Sequence, residues 1–169
     1  MENKICLIGF MGCGKTTISE LLSKKLQKSY IDLDKYIEMD NKMSISDIFS
    51  TYGEVYFRNL ENKALKVALN NTVEIISTGG GIITLEENIN LLKNYNTFYL
   101  RYKFDTLYNR ISGDSSRPLV TTYAELQNRY SSRISLYEKS SRYIIDCEDK
   151  VIDDILREIL DILGRDKNK

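Results

Sequence analysis

Short apolar runs alternate along the chain with longer segments whose apolar residues recur every three or four positions. Lys4 to Gly9 is apolar and closes on glycine, the pattern of a parallel strand buried on both faces. Ile18, Leu21, Leu22 and Leu26 follow at helical spacing. Tyr30 to Asp32 reads as a second short strand. Ser44 to Tyr52 predicts a brief helix stopped by Gly53, and Glu54 to Leu69 a longer one with Phe57, Leu60, Ala64, Leu65 and Ala68 on one face. Val73 to Ser77 is a third strand, closed by Gly79, Gly80 and Gly81. A helix over Leu85 to Leu92, a strand over Thr97 to Leu100 and a helix over Asp105 to Ile111 come next. Ser112 to Thr122 is polar, holds the only proline, Pro118, and reads as a loop. A helix over Ala124 to Lys139 and a strand over Tyr143 to Asp146 follow. The last helix carries Val151, Ile155, Ile159 and Leu163 on its stripe; Gly164 is predicted to stop it, and Arg165 to Lys169 to fray.

Strands alternating with helices at these lengths imply an α/β fold, a parallel sheet covered on both faces. With 169 residues and neither repeat nor linker, the expectation is a single domain over residues 1–169. Ligands of such sheets bind beyond the carboxyl ends of the strands. The chemically suggestive residues converge there, after the first, second and third strands and in the Ser112 loop.

Composition narrows the function classes. Lysine plus arginine equals aspartate plus glutamate at 24 each, so no global charge attracts duplex nucleic acid or an anionic membrane. Bound anions must be held by a few placed groups. Cys6, Cys13 and Cys147 are scattered, and with no histidine in the chain a zinc site is not expected. A reducing, cytoplasmic compartment is the simplest reading, since the N-terminus lacks a signal-peptide layout and no apolar run is long enough to span a bilayer. Without histidine, acid–base chemistry falls to carboxylates, lysine or water.

Gly9-Phe10-Met11-Gly12-Cys13-Gly14-Lys15-Thr16 fits the phosphate-binding loop GxxxxGK[ST], between a strand and a helix as that loop requires. Backbone N–H groups of Gly12, Cys13, Gly14, Lys15, Thr16 and Thr17 would cradle phosphate oxygens at the positive end of the helix. Lys15 would reach the β- and γ-phosphates, and the Thr16 hydroxyl would hold Mg²⁺. Asp32 and Asp34 lie two apart at a strand end, so both carboxylates can face the cleft; the competing reading makes Asp34 a helix cap. One would serve the magnesium shell, the other an acceptor hydroxyl. Arg58 sits one turn from both Glu54 and Glu61: either a surface ion-pair ladder, or a rigid guanidinium fork held toward a substrate carboxylate. Gly79-Gly80-Gly81 lets backbone approach a ligand closely. Arg117 in the loop could close over phosphates or simply be solvated, and Arg110 lies near the end of the preceding helix. Arg129, Arg133, Lys139 and Arg142 read as a mostly solvated face, and none of the 12 tyrosines is assigned catalysis.

Taken in order, GFMGCGKTT, DLD, GEVYFRNLE, GGG, RPL and R-x-x-x-Y resemble shikimate kinase from residue 5 to about 146. The phosphate loop is shared by many nucleotide-binding enzymes; D-x-D, G-E-x-x-F-R-x-x-E and the triple glycine together are far more specific. The resemblance implies a three-layer P-loop kinase fold, a five-stranded parallel sheet in the order 2-3-1-4-5 and a mobile lid over about 112–123. It further implies a monomer that moves the γ-phosphoryl group of ATP, with Mg²⁺, to the 3-hydroxyl of shikimate in aromatic amino-acid biosynthesis. Lys15 and Thr16 would serve ATP and Mg²⁺, with Asp32 supporting the metal shell. Asp34 would orient or deprotonate the acceptor hydroxyl, and Arg117 would be the lid arginine. Arg58 and Arg133 would grip the acceptor carboxylate beside Gly79, Gly80 and Gly81, and Arg110 would stack near adenine. Val120 stands where a second leucine is usual, Val120 to Arg129 is shorter than usual, and Ile134 to Tyr137 lacks the proline often found there, which leaves Arg129 as a rival to Arg133. Kinases of gluconate or nucleoside monophosphates are the nearest alternatives; a GTPase-type switch lacks its guanine-specifying N-K-x-D.

Overall fold

A computed structural model describes residues 4–112 and 122–166. Five strands form one sheet: β1 (Ile5–Ile8), β2 (Tyr30–Asp32), β3 (Ile75–Ser77), β4 (Asn96–Arg101) and β5 (Tyr143–Asp146). Every neighbouring pair is parallel and the order is β2-β3-β1-β4-β5, as the resemblance implied. The three central strands are the apolar runs of the sequence: β1 and β3 are buried throughout, while the edge strands β2 and β5 keep exposed positions. That distribution follows from helices covering a parallel sheet on its faces.

The helices are α1 (Lys15–Leu26), α2 (Leu33–Asn41), α3 (Ile45–Asn70), α4 (Glu86–Leu92), α5 (Phe104–Ser112), α6 (Tyr123–Ser140) and α7 (Ile152–Asp166). A 3₁₀ turn, Ile82–Thr84, joins the triple glycine to α4. Helix α1 packs on α7, whereas α4 touches both α3 and α6. Buried Ile, Leu, Val and aromatic side chains from the sheet and both helix groups merge into one core.

Four details depart from the sequence reading. Helix α2 was not anticipated: only Leu33 and Ile37 are buried on it, too few to show a period, and it starts without a loop after β2. The two helices predicted on either side of Gly53 run as one element, interrupted where Gly53 takes φ 80° and ψ 174°. Gly53 therefore breaks the helical path without ending the element. Gly164 does not stop α7, which continues through Arg165 to Asp166. The polar loop is also bounded more tightly than predicted, since Ser112 ends α5 and Thr122 caps α6 in a reciprocal box with Glu125. Arg117, Pro118 and most of the predicted lid lie outside the described residues.

One buried cation secures the far end of α3. Lys4 Nζ donates to the carbonyls of Ala68 at 3.3 Å, Asn71 at 2.5 Å and Val73 at 2.6 Å. The charge thereby satisfies carbonyls that a helix C-terminus leaves unpaired.

Candidate active site

The loop between β1 and α1 is set by glycine. Gly12 and Gly14 adopt φ 79° and 86°, a region side chains rarely enter, and Gly14 caps α1. The turn brings the start of α1 over a cavity of about 290 Å³ lined by Met11, Gly12, Gly14, Lys15, Thr16, Thr17, Asp32, Asp34, Thr78 and Gly80. Lys15 is buried, its Nζ donating to Gly9 O at 2.8 Å and Phe10 O at 3.2 Å and lying 3.5 Å from Cys13 Sγ. Cationic lysine and the unpaired N–H groups of a helix start make this cavity a seat for phosphate.

Asp32 and Asp34 do not share a strand face as the alternation argument expected. Asp32 is the last residue of β2 and also the cap of α2: its Oδ1 accepts from Asp34 N at 3.1 Å and Lys35 N at 3.3 Å. Its Oδ2 accepts from Thr16 Oγ1 at 2.6 Å. The cap is thus Asp32 rather than Asp34. Asp34 sits in the first turn of α2, half-buried, and reaches the cavity from there.

Behind it lies the Arg58 cluster. Arg58 donates through Nη1 to Glu61 Oε2 at 2.5 Å and through Nη2 to Glu54 Oε1 at 2.9 Å. Its guanidinium rests 5.4 Å from the Phe57 ring and 5.8 Å from that of Phe49. The ladder expected from spacing is present, but it is not a surface ladder: the side chains of Arg58 and Glu61 are 13% and 2% exposed, against 61% for Glu54. Burial pushes the Glu61 carboxyl up to about 7, although Arg58 pulls it down. Its Oε1 has no hydrogen-bond partner among the described residues. Burial opposes the charge of Arg58, yet Glu61 and Glu54 hold its pKa above the ordinary value.

The triple glycine admits this cluster by lacking side chains. A Cβ on Gly79 would stand 2.6 Å from both Asp34 Oδ1 and Glu61 Oε1, and one on Gly81 would overlap the Arg58 guanidinium. Gly80 lines the phosphate cavity. Across the turn, α6 delivers Arg133, buried, with Nη1 3.4 Å from Gly80 O. Burial lowers its pKa, and the like charge of Arg58 adds to that. Among the described residues Arg133 makes no ion pair, so its charge is free to meet an anion. Arg129 is exposed on the same helix.

A second cavity of about 480 Å³ adjoins the first at Gly14 and Thr17. Cys13 and Ile18 form its floor and Lys150, Val151, Ile152 and Asp153 one wall. Arg110 lies over the Tyr102 ring at 4.2 Å, with Nη1 3.4 Å from Gly12 O. A planar guanidinium on an aromatic ring, beside an apolar wall, suits a flat heterocycle. The sequence reading missed Thr78, Tyr102 and the Val151–Asp153 wall. Their only signal was position after a strand, which many loop residues share.

The chain matches the family model described as Shikimate kinase over residues 11–164. A shikimate kinase of Staphylococcus aureus (strain JH9) is 42% identical over 165 residues, covering 96% of this chain and 94% of the relative. Among solved structures, a shikimate kinase from Acinetobacter baumannii in complex with shikimate superposes with a TM-score of 0.91 at 30% identity, covering 100% of this chain and 97% of the other. The shikimate kinase from Aquifex aeolicus gives 0.85 at 33%, with 97% and 98% covered. A family model spanning most of the sequence, and a relative this similar end to end, place the chain in the shikimate kinase family.

Proposed function

We propose that the protein transfers the γ-phosphoryl group of ATP to the 3-hydroxyl of shikimate, giving shikimate 3-phosphate and ADP for aromatic amino-acid biosynthesis. The observation that carries the reading is the juxtaposition of Arg58 and Arg133 around Gly80 and Gly81, beside the cavity that Lys15 and Asp34 share. An acceptor with a carboxylate at one end and hydroxyls at the other fits between them. The larger cavity takes the base, against Arg110, and the start of α1 takes the phosphates. Asp34 orients the acceptor hydroxyl and Lys15 offsets charge on the transferred group. Holding both substrates in line supplies most of the catalysis, because phosphoryl transfer asks little covalent chemistry of the protein.

The donors beside the phosphate cavity fit Mg²⁺. Thr16 Oγ1 and Asp32 Oδ2 are hard oxygens 2.6 Å apart, one hydroxyl and one carboxylate. Bound there with ATP, Mg²⁺ would neutralise phosphate charge. No helix among the described residues is long and apolar enough to cross a membrane. Three buried free cysteines suit a reducing compartment, and we place the protein in the cytoplasm as a monomer acting through one catalytic unit.

The test is a coupled ADP-release assay with shikimate and gluconate side by side. Shikimate-dependent turnover at least a hundredfold above gluconate is expected, with Arg58→Ala raising the shikimate KM by about ten- to a hundredfold, the value of one charged contact. Equal turnover of both acceptors, or equal effects of Arg58→Ala on the shikimate and ATP KM, overturns the reading.

A further inference from the structure

The central carbonyl of the triple glycine is held from α6 by two side chains. Tyr137 Oη donates to Gly80 O at 2.5 Å, and Arg133 Nη1 approaches the same oxygen at 3.4 Å. Residues four apart on a helix project to one side, so both reach the turn together. On its other side Gly80 lies against the phosphate loop: an added Cβ would come within 3.4 Å of Met11 N and 3.6 Å of Gly9 O. The Tyr137 ring is fully buried and stacks on Tyr99 of β4, centroids 4.9 Å apart and planes 20° apart. Burial raises the phenol pKa, which keeps the hydroxyl a proton donor.

The two donors compete for one acceptor. A hydrogen bond of 2.5 Å holds the carbonyl firmly, whereas 3.4 Å is a loose approach. If the phenol were absent, Gly80 O would be a buried acceptor with a guanidinium as its nearest donor, and the charged group would close on it.

We propose that Tyr137 is a positioning residue for the acceptor: its hydroxyl occupies Gly80 O and thereby leaves the Arg133 guanidinium free for the acceptor carboxylate. It also fixes the Gly80–Gly81 peptide, the wall facing Arg58. This rests on the assignment of Arg133 as a carboxylate ligand, so the experiment must separate the two.

Tyr137→Phe removes one oxygen and keeps the ring, its stacking on Tyr99 and its volume, so the variant retains the fold. Steady-state kinetics are measured for Tyr137→Phe, Arg133→Lys and the double variant with MgATP and shikimate. Tyr137→Phe is expected to raise the shikimate KM by about three- to tenfold, the value of one neutral hydrogen bond, with kcat and the ATP KM within about twofold. In the Arg133→Lys background the same change should add less than about twofold, because the arginine it protects is gone. A raised shikimate KM in Arg133→Lys with an unchanged one in Tyr137→Phe overturns this inference alone. An unchanged KM in Arg133→Lys overturns it together with the carboxylate assignment. Fully additive effects, or parallel losses for both substrates, would make Tyr137 merely structural and refute it.

Discussion

Gly81→Ala adds one methyl group where backbone strain does not enter, since Gly81 has φ −99° and ψ 1°, angles open to alanine. What the methyl meets is Arg58, whose guanidinium lies across that face with Nη2 2.5 Å from the new carbon. An unanchored arginine would swing aside at little cost. This one is ion-paired to Glu54 and Glu61 and bedded against Phe49 and Phe57. Moving it strips the partner from Glu61, a carboxylate 2% exposed. One charge-assisted bond lost at a buried group costs about 2–3 kcal/mol. In a domain of this size that lowers the Tm by about 5–10 °C. The displaced fork also loses one charged contact to the acceptor, raising the shikimate KM by about ten- to a hundredfold. The phosphate loop is untouched, so the ATP KM should stay within about twofold. Coupled ADP-release kinetics with each substrate varied, beside a thermal melt, read all three quantities. A Gly81→Ala protein with parental Tm and parental shikimate KM would refute the claim that the glycine exists to seat Arg58.

Gly164→Ala is the opposite case: it lies within α7 with open space around it, and should stabilise the protein by about 0.5–1 kcal/mol in a melt. Glu61 has a folded pKa of about 7, above its usual 4.5, so the folded state holds the extra proton between those values and stability falls as pH rises through that window. The fall amounts to about 3 kcal/mol, and denaturant midpoints of Glu61→Gln at pH 5 and pH 8 should lack it. Lys4→Met abandons three carbonyls at the end of α3 and should cost about 2–3 kcal/mol by chemical denaturation while leaving both KM values within about twofold. Arg110→Ala removes the guanidinium over Tyr102 and should raise the ATP KM by about three- to tenfold with the shikimate KM unmoved.

Periodicity located all five strands because central strands of a parallel sheet are continuous apolar runs, and β1 and β3 are such runs. It did not order them: strand order is a long-range property, implied only by likeness to a family. Helix α2 escaped because two buried residues in nine carry no measurable period. Gly164 misled because an exposed glycine in a helix costs little when neighbouring turns pack well, and α7 buries Ile155, Leu156 and Ile159. Within the site, the phosphate loop was legible since its chemistry is local. The spacing of Glu54, Arg58 and Glu61 was visible but ambiguous, and burial resolved it. The clasp of Tyr137 on Gly80 joins positions 57 apart in sequence, and a pattern of types cannot reveal which carbonyl a buried phenol will find.

Asp32 ends β2 and caps α2 with no residue between them, while its other oxygen binds Thr16 at the start of α1. Sheet edge, second helix and phosphate loop are therefore riveted at a single carboxylate. Chain length is intolerant there: one residue inserted after Asp32 would turn Asp34 about a quarter of the way round the helix and carry it off the cavity. At Gly53, where the helical path is already broken and nothing stands within 4 Å, the chain has room to absorb such a change. Grafting or loop engineering on the acceptor side belongs at that joint, not at the rivet.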